Sequence, residues 1–355
     1  MAILAGGTGG HVFPGLAVAD VLRTRGVPVV WFGTPQGLES RLVPDAGHAF
    51  EALPVQSLRG RGRTAWLTAP WRLQRPLFIA INRLRRLRPR VVLGFGGYVA
   101  GPGAIAARLL RIPLVIHEQN AIAGLTNRWL SRLATTVLCG FPDAFPSGTR
   151  TRWVGNPVRA DIVASAAVRK SIALSFESRP LRVLVIGGSQ GALALNRALP
   201  EAIATLPEAL RPTVLHQAGE RMLGVAGDAY AAAGVNAEVR PFITDMADAY
   251  AWADLVVCRA GALTVAELAA AGVPSILVPF PHAVDDHQTA NAEHLVAAGA
   301  AWLLPQPELE AGRLATMLQA IANDPESLLR MRDRGRALAP ADAAQQIADL
   351  CLEVA

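Results

Sequence analysis

Charged residues and cysteines are scarce in this chain, and long apolar runs are missing. Only 17% of its 355 residues are charged and 52% are hydrophobic, a balance that predicts extensive buried sheet. Cys139, Cys258 and Cys351 lie far apart without metal or disulfide spacing, which is typical of a reducing cytoplasm. Glycines and Pro102 interrupt the uncharged stretch 91–107, so no membrane-spanning helix is expected.

Acidic residues are absent from the interval between Ala52 and Ile116, which contains twelve arginines. The whole chain has a formal net charge of +6, so the remainder is net acidic. One cationic face on an otherwise acidic body predicts a localised anionic partner and argues against nucleic acid. The opening residues have no basic segment before an apolar core, so we expect no secretory signal.

A glycine-rich loop, Gly6–His11, lies between a predicted strand at residues 2–5 and a predicted helix over Val12–Leu22. Bare backbone NH groups and a helix N-terminus both attract anions, so this arrangement is typical of a phosphate site. The loop lacks the Gly-Lys-Ser/Thr ending of a Walker A motif and the spaced G-x-G-x-x-G of a dinucleotide fold. Taken alone, it fits a tight turn that binds nothing equally well.

The second half of the chain repeats the first. Residues 183–191, VLVIGGSQG, repeat residues 2–10, AILAGGTGG. This repeat is 181 positions after the first copy, whereas residues 255–261 resemble residues 91–97 at a separation of only 164 positions. The first half therefore contains extra residues between its two repeated segments. The arginine-rich stretch after residue 58 is the candidate insertion. The repeat predicts two similar domains, residues 1–159 plus 337–355 and residues 160–336.

Residues 254–291 predict a strand-helix-strand unit rich in polar residues. The apolar runs Leu255–Cys258 and Ser275–Phe280 are typical of buried strands. Thr264 and Glu267 have the spacing of a capping box, which predicts that the intervening helix begins there.

Gly272 and Pro274 are expected to end that helix. In such units the loops that leave the carboxyl ends of parallel strands lie at one edge of the sheet, where ligands bind. We therefore expect Arg259–Glu267 and Asp285–Gln288 to face the same crevice.

The arginine-rich insertion also contains tryptophan and phenylalanine, and Pro76 is expected to begin a helix within it. The inward stripe of this helix would comprise Leu77, Ala80, Ile81, Leu84 and Leu87. Basic and aromatic side chains together favour a helix that lies on an anionic membrane, although an ordinary packing helix with solvated arginines is the alternative. The residues expected at the membrane are Trp66, Trp71, Arg72, Arg75 and Phe78.

Several ordered motifs, which span nearly the whole chain, resemble the MurG family of bacterial peptidoglycan glycosyltransferases. They are GGTGGHVFPGLAVA at 6–19, GGYVAGP at 96–102, HEQN at 117–120, GNPVR at 155–159, GGSQGA at 187–192, RAGALTVAE at 259–267 and PFPHAVDDHQ at 279–288. The resemblance implies the GT-B glycosyltransferase fold, an α/β architecture of two Rossmann-like domains facing a cleft. It places the acceptor in the first domain and the sugar nucleotide mainly in the second, with the last helix crossing back to the first.

The resemblance implies transfer of N-acetylglucosamine from UDP-N-acetylglucosamine to lipid I, which yields lipid II. Within the donor site, Glu267 would hold the ribose hydroxyls, the Ile243 backbone would meet the uracil, and Gln288 would meet the sugar. The diphosphate would lie at Ser189 and at the start of the helix near Ala262. The implied donor contacts are Thr8, Gly9, Gly10, Asn120, Arg159, Ser189, Ile243, Ala262, Leu263, Thr264, Val265, Ala266, Glu267 and Gln288. The implied contacts of the acceptor diphosphate are Gly7, Gly96, Gly97 and Tyr98.

The expected reaction is a single displacement with inversion, in which the C4 hydroxyl of the N-acetylmuramyl unit attacks C1 of the donor sugar. A sugar hydroxyl is a poor nucleophile, so a base is expected, and His11 is the best-placed candidate, with Glu118 a weaker one. His11 fits equally well a helix-start histidine bonded to phosphate or backbone. No Asp-x-Asp pair occurs in the sequence, so we expect no cofactor and metal-independent chemistry.

Three other functions fit the sequence less well. A sugar-nucleotide 2-epimerase would share the architecture but need no lipid acceptor. A transferase that makes membrane glycolipids from diacylglycerol would keep the basic aromatic face, and a catalytically inactive nucleotide-binding scaffold would also lie at the membrane. The resemblance further implies a peripheral location at the cytoplasmic face of the cell membrane, on its anionic inner leaflet, and it allows other cell-wall enzymes as partners.

Overall fold

The structure is a computed structural model that describes residues 1–55, 69–171, 179–188, 191–340 and 342–355, with backbone alone at 69–72, 167–171 and 284. By its internal contacts the chain divides into two compact units. The first comprises Met1–Arg159 with Asp342–Ala355, and the second comprises Ala160–Ala341. Residues 337–341, assigned from the sequence to the first domain, group with the second unit because the helix Pro325–Leu338 continues past the expected boundary.

The first unit is built on a parallel sheet. Its strands are β1 (Ala2–Leu4), β2 (Val30–Gly33), β3 (Ala49–Ala52), β4 (Val92–Gly94), β5 (Leu114–Glu118), β6 (Thr136–Cys139) and β7 (Arg152–Trp153). They are ordered β3-β2-β1-β4-β5-β6-β7, and every neighbouring pair is parallel. Because the order runs outward in both directions from β1, the chain reverses between β1 and β4, which is where α/β sheets bind ligands.

Helices cover both faces of this sheet. They are α1 (Gly9–Thr24), α2 (Glu39–Asp45), α3 (Ala69–Leu87), α4 (Gly97–Leu109), α5 (Leu125–Leu130) and, from the chain end, α14 (Ala343–Glu353). Residues of α3 and α4 share one hydrophobic core with the sheet, and residues of α1 and α14 share the other. Arg25, just past α1, donates a hydrogen bond to Asp349 Oδ1 of α14 at 2.5 Å. The last helix of the chain is thereby held against the first.

The second unit repeats this architecture. Its strands are β8 (Arg182–Ile186), β9 (Thr213–Gln217), β10 (Glu238–Arg240), β11 (Leu255–Cys258), β12 (Ser275–Leu277) and β13 (Ala301–Leu303). Their order is β10-β9-β8-β11-β12-β13, which is the order of the first six strands of the other unit. Its helices are α6 (Ala160–Ser171), α7 (Leu193–Ala204), α8 (Leu223–Ala232), α9 (Met246–Trp252), α10 (Ala262–Ala271), α11 (His287–Ala297), α12 (Ala311–Asn323) and α13 (Pro325–Leu338). The predicted repeat and the predicted pair of Rossmann-like domains are confirmed.

The helix of the arginine-rich insertion begins earlier in the chain than its predicted start at Pro76. It begins at Ala69, and Pro76 lies buried inside it rather than at its start. Inside a helix, proline cannot donate the backbone hydrogen bond to the residue four positions before it. Ala80 and Leu84 are buried as predicted, whereas Leu87 at the helix end is 37% exposed.

The helix of the strand-helix-strand unit begins earlier than its predicted capping box. Gly261 is the N-cap residue and Ala262 the first helical residue, so Thr264 lies within the first turn and forms no capping box with Glu267. The turn after β11 is tight enough for the helix to begin at once, which the Thr264 to Glu267 spacing could not indicate. Gly272 ends the helix in the left-handed conformation, with a φ of 64°, as predicted.

Strand β12 ends at Leu277, before the predicted Phe280. Within the described ranges, every helix is too short or too polar to cross a membrane. Cys139, Cys258 and Cys351 are all buried free thiols.

Candidate active site

Two glycine turns touch at the carboxyl edge of the first sheet. Gly6 follows β1, and Gly97 follows β4 and begins α4. A Cβ atom on Gly97 would lie 2.8 Å from the carbonyl oxygen of Gly6 and 3.3 Å from Cδ2 of His11. Gly97 also has a φ of +74°, so both the close approach and the backbone conformation require glycine.

The four residues expected to meet the acceptor diphosphate lie together. Gly7 faces the ring of Tyr98, because a Cβ on Gly7 would lie 3.1 Å from Tyr98 Cε1. Helix α1 begins at Gly9 and α4 at Gly97, so both direct their N-termini to this edge. Thr8, the N-cap residue of α1, makes no capping hydrogen bond with its side chain. Backbone NH groups of two helix N-termini therefore converge where an anion is expected.

A carboxylate that the sequence did not single out lies beneath this loop. Glu39 is 0% exposed, and its Oε2 accepts a hydrogen bond from the backbone NH of Gly7. Glu39 belongs to α2, far from every glycine motif in the chain, so only its burial reveals the connection.

Glu118, the weaker candidate base, is occupied by other groups. Its Oε1 accepts hydrogen bonds from the backbone NH and the side chain of Asn120, both at 3.0 Å. Its Oε2 accepts from the backbone NH of Gly124 at 3.1 Å and from Asn127 Nδ2 at 2.9 Å. Glu118 is 2% exposed, and four donors occupy its two oxygens. These contacts suit a carboxylate that orients Asn120 better than one that takes a proton from a substrate.

His11, the main candidate base, lies in the first turn of α1 and is half-buried. Its Nδ1 lies 2.9 Å from Oε1 of Gln119, which is 1% exposed. Gln119 in turn lies against His117, a fully buried ring. The structure thus brings together the two motifs GGTGGH and HEQN, which are 108 residues apart at this contact.

In the second unit, a glycine turn again follows the first strand. Gly187 and Gly188 follow β8, and Gly188 has a φ of +81°. A Cβ on Gly191 would lie 2.2 Å from the carbonyl oxygen of Ala218, so this turn packs closely on the loop after β9. Ser189, expected at the diphosphate, lies outside the described residues.

Helix α10 carries six of the fourteen predicted donor contacts, Ala262 to Glu267. Its N-terminus lies directly after β11 at the carboxyl edge of the sheet, and Ala262–Thr264 form its first turn. Glu267, one turn further along, is half-buried, and its Oε2 accepts a hydrogen bond from the Tyr250 hydroxyl at 3.0 Å. Tyr250 is 1% exposed and was not singled out from the sequence. A buried tyrosine therefore orients the carboxylate expected to bind ribose.

The loops after β11 and β12 are tied together by hydrogen bonds. Arg259 donates to the carbonyl oxygens of Val278 and Pro279, each at 3.1 Å, and burial lowers the pKa of its guanidinium. Gln288 Oε1 accepts from the backbone NH of Phe280 at 2.9 Å. These bonds join Arg259 to the start of the loop after β12, while the shared crevice of Arg259–Glu267 and Asp285–Gln288 stays a prediction.

Ile243 lies after β10 and is 3% exposed. Its backbone NH donates to Gln217 Oε1 at 3.0 Å, a partner that the sequence did not indicate. Ile243 also lines a groove of about 810 Å³ beside the edge strand, together with Asp245 and Trp252. The backbone atoms expected to meet the uracil are therefore fixed by a buried side chain and border an open groove.

Arginine and phenylalanine side chains cover the outer face of α3. Phe78 is 66% exposed, and Arg75 is exposed beside it. Arg83 and Arg86 form ion pairs with Glu51 of β3, so an acid just outside the acid-free interval neutralises part of this face. Trp66 lies outside the described residues, and the side chains of Trp71 and Arg72 are likewise not described.

In the described part of the chain, no three His, Cys, Asp or Glu side chains form a group that could hold a metal ion. Metal-independent chemistry remains a prediction.

Comparisons with known proteins extend over the full length of both units. Residues 1–139 match the glycosyltransferase family 28 N-terminal domain, and residues 182–347 match the family 28 C-terminal domain. A UDP-N-acetylglucosamine–N-acetylmuramyl-(pentapeptide) pyrophosphoryl-undecaprenol N-acetylglucosamine transferase of Alkalilimnicola ehrlichii is 59% identical, over 99% of this chain and 98% of its own. The enzyme of the same name from Halorhodospira halophila is 57% identical, over 100% and 98%. The crystal structure of Acinetobacter baumannii MurG superposes with a TM-score of 0.82 at 40% identity, over 99% of this chain and 98% of that one.

Proposed function

The chain belongs to glycosyltransferase family 28, in its MurG branch, and we propose that it transfers N-acetylglucosamine from UDP-N-acetylglucosamine to lipid I. Lipid I is undecaprenyl-pyrophosphoryl-N-acetylmuramyl-pentapeptide, and the product is lipid II, the precursor for peptidoglycan synthesis. The observation that carries the proposal is the full-length identity with enzymes named for this reaction. It favours the transferase over the epimerase, the diacylglycerol-dependent transferase and the inactive scaffold.

The reaction is a single displacement with inversion. The C4 oxygen of the N-acetylmuramyl unit forms a bond to C1 of N-acetylglucosamine while the bond from C1 to the UDP oxygen breaks. The hydroxyl proton passes to His11, whose ring lies against Gly97 in the second glycine turn of the first unit. The charge that builds on UDP is met by backbone NH groups at the start of α10 and by Arg159.

The donor is held mainly by the second unit. The Glu267 carboxylate, oriented by Tyr250, accepts hydrogen bonds from both ribose hydroxyls. The backbone carbonyl of Ile243, whose NH is bonded to Gln217, meets the uracil, and the amide of Gln288 meets the sugar. Neutral amides discriminate among sugar hydroxyls without competing for their protons.

The acceptor diphosphate is held by the first unit, at Gly7, Gly96, Gly97 and Tyr98. The support for this assignment is the convergence of two helix N-termini and two glycine turns at one sheet edge. Asn120, oriented by Glu118, lies at the same edge.

The enzyme binds peripherally at the cytoplasmic face of the cell membrane, through α3. The exposed Phe78 inserts among the acyl chains while Arg75 and its neighbours attract anionic headgroups. This location brings the site to an acceptor whose undecaprenyl chain stays in the bilayer, and other cell-wall enzymes are its expected neighbours there.

Release of UDP from UDP-N-acetylglucosamine tests the proposal, with and without a short-prenyl analogue of lipid I, in buffer containing EDTA. Acceptor-dependent release that survives chelation is the expected result. Release without acceptor would indicate an epimerase or a hydrolase instead. Donor binding without any release would indicate the scaffold.

A further inference from the structure

The hydrogen bonds around His117 have directions that the chemistry of the partners fixes. The carbonyl oxygen of Gly155 can only accept, so His117 Nε2, which lies 2.9 Å from it, carries a proton. His117 is 0% exposed, and burial lowers its pKa to about 4. The ring is therefore neutral near pH 7, and its Nδ1 is an acceptor.

The side-chain amide of Gln119 lies between His117 and His11. Its Nε2 lies 2.9 Å from the carbonyl oxygen of His117 and 3.1 Å from His117 Nδ1. Both of these atoms accept, so the NH₂ group must face His117, and Oε1 must face His11. A further hydrogen bond, from Asn156 Nδ2 to the Gln119 carbonyl oxygen at 2.9 Å, holds the backbone in place.

The Gln119 Oε1 atom has no proton to give, so His11 Nδ1, at 2.9 Å, must donate. We propose that Gln119, held by His117, is a positioning residue that keeps His11 in its Nδ1–H tautomer. The Nε2 atom of His11 then accepts the proton of the C4 hydroxyl of the N-acetylmuramyl unit. A Cβ on Gly97 would lie 3.7 Å from that Nε2, so the accepting atom borders the second glycine turn. The inference rests on the proposed transferase function and deepens it.

A neutral amide suits this task because it orients the imidazole without adding a charge, as asparagine does in Cys-His-Asn proteases. A carboxylate in its place would favour the imidazolium and leave less of the base in its reactive form. The nearby ionisable groups are His117, which is neutral, Glu118, whose oxygens are engaged by four donors, and Tyr98, across Gly7.

The tautomer is read directly by ¹⁵N NMR of the full-length protein labelled at its seven histidines, without ligand. In the wild-type protein at neutral to mildly basic pH, the His11 Nδ1 signal should be protonated and Nε2 unprotonated. Gln119→Met should convert His11 to a mixture of the two tautomers. Gln119→Glu, which keeps an acceptor for Nδ1–H, should preserve the Nδ1–H tautomer. The signals of His216, buried in the second unit between Tyr230 and Asn196, serve as an internal reference for folding.

Activity separates positioning from a merely structural role. Gln119→Met should lower kcat roughly tenfold to a hundredfold and leave KM for both substrates within about twofold. Gln119→Glu keeps the oxygen that accepts from His11 Nδ1 but loses the donor to His117, so it should restore only part of kcat. Gln319→Met, at an exposed position of α12, is the matched control and should leave kcat unchanged.

Two results would overturn the inference. One is a Gln119→Met protein whose His11 keeps the Nδ1–H tautomer, since the amide would then not determine it. The other is a changed tautomer with unchanged kcat. The UDP-release assay of the wild-type protein tests the proposed transferase activity, whereas the NMR comparison tests the role of Gln119. A negative result in one is therefore distinct from a negative result in the other.

Discussion

The Glu39 carboxylate joins two loops at the edge of the first sheet, where its Oε2 accepts a hydrogen bond from the Gly7 backbone NH at 3.2 Å. Its Oε1 accepts from the backbone NH and the hydroxyl of Thr34, at 2.8 and 2.7 Å. A Cβ on Gly6 would lie 2.3 Å from the same Oε1. The position of the first glycine turn is therefore set by a buried side chain from α2, and glycine at position 6 is required to make room for it.

Glu39→Ala should destabilise the first unit. It leaves the buried backbone NH and hydroxyl of Thr34 without their acceptor, at a cost of roughly 1–3 kcal/mol in the free energy of unfolding. Thermal unfolding followed by calorimetry would show the loss in one of two transitions, one for each unit. Glu201→Ala, at an exposed position of α7, is the control, with an expected change within about 0.5 kcal/mol. An unchanged melting profile for Glu39→Ala would contradict this account.

Gly97→Ala should separate the two glycine turns and raise KM for the acceptor at least tenfold. The added Cβ would lie 2.8 Å from the Gly6 carbonyl oxygen, and the φ of +74° is strained for alanine. Gly101→Ala in the same helix is the matched control, since its Cβ would meet no atom within 4 Å. It should keep full activity and raise stability by about 0.5–1 kcal/mol. Equal activity of the two variants would show that the contact of the turns is unimportant.

His11→Ala should lower kcat by roughly a hundredfold or more, because general-base catalysis contributes that much. The affinity for UDP-N-acetylglucosamine, measured by calorimetric titration, should stay nearly intact, since the proton is transferred only in the transition state. Equal losses in affinity and in kcat would instead indicate that His11 binds phosphate.

Tyr250→Phe should weaken UDP binding about fivefold, because Glu267 loses a hydrogen bond of about 1 kcal/mol that orients it toward the ribose. The loss should be smaller for 2′-deoxy-UDP, which offers Glu267 one hydroxyl fewer. Tyr230→Phe is the matched control in the same unit, because that buried hydroxyl lies 3.0 Å from His216 Nδ1 instead. If both variants bound UDP as the wild type does, the ribose role of Glu267 would lose its support.

Replacement of Arg75 by Glu or of Phe78 by Ser should weaken binding to vesicles that contain phosphatidylglycerol. Each basic residue near an anionic surface contributes about 1 kcal/mol, so charge reversal should lower the partition coefficient at least tenfold. Cosedimentation at low and high salt measures both the affinity and its electrostatic share. Phe242→Ser removes a comparably exposed ring, 48% accessible, from the second unit and should have no effect. Equal losses from both serine variants would remove the special role of α3.

Local patterns in the sequence predicted much of the fold. The repeated glycine turns indicated two similar halves, and both sheets share the strand order of their first six strands. Leu255–Cys258 and Gly272 were placed correctly, because apolar runs and helix-ending glycines are determined by neighbouring residues. The start of α3 was missed, since a proline at the first turn and a proline inside a buried helix give the same local signal.

The sequence by itself determined the two-domain architecture, the family and the loops that carry the chemistry, because each of these depends on short motifs and their order. Only the tertiary structure decided how those loops are supported. The Gln119 amide is oriented by His117, which is in turn fixed by Gly155 across 38 positions, and Gln119 meets His11 across 108. Hydrogen-bond direction at such distances depends on which groups the fold buries together, and no local pattern records it.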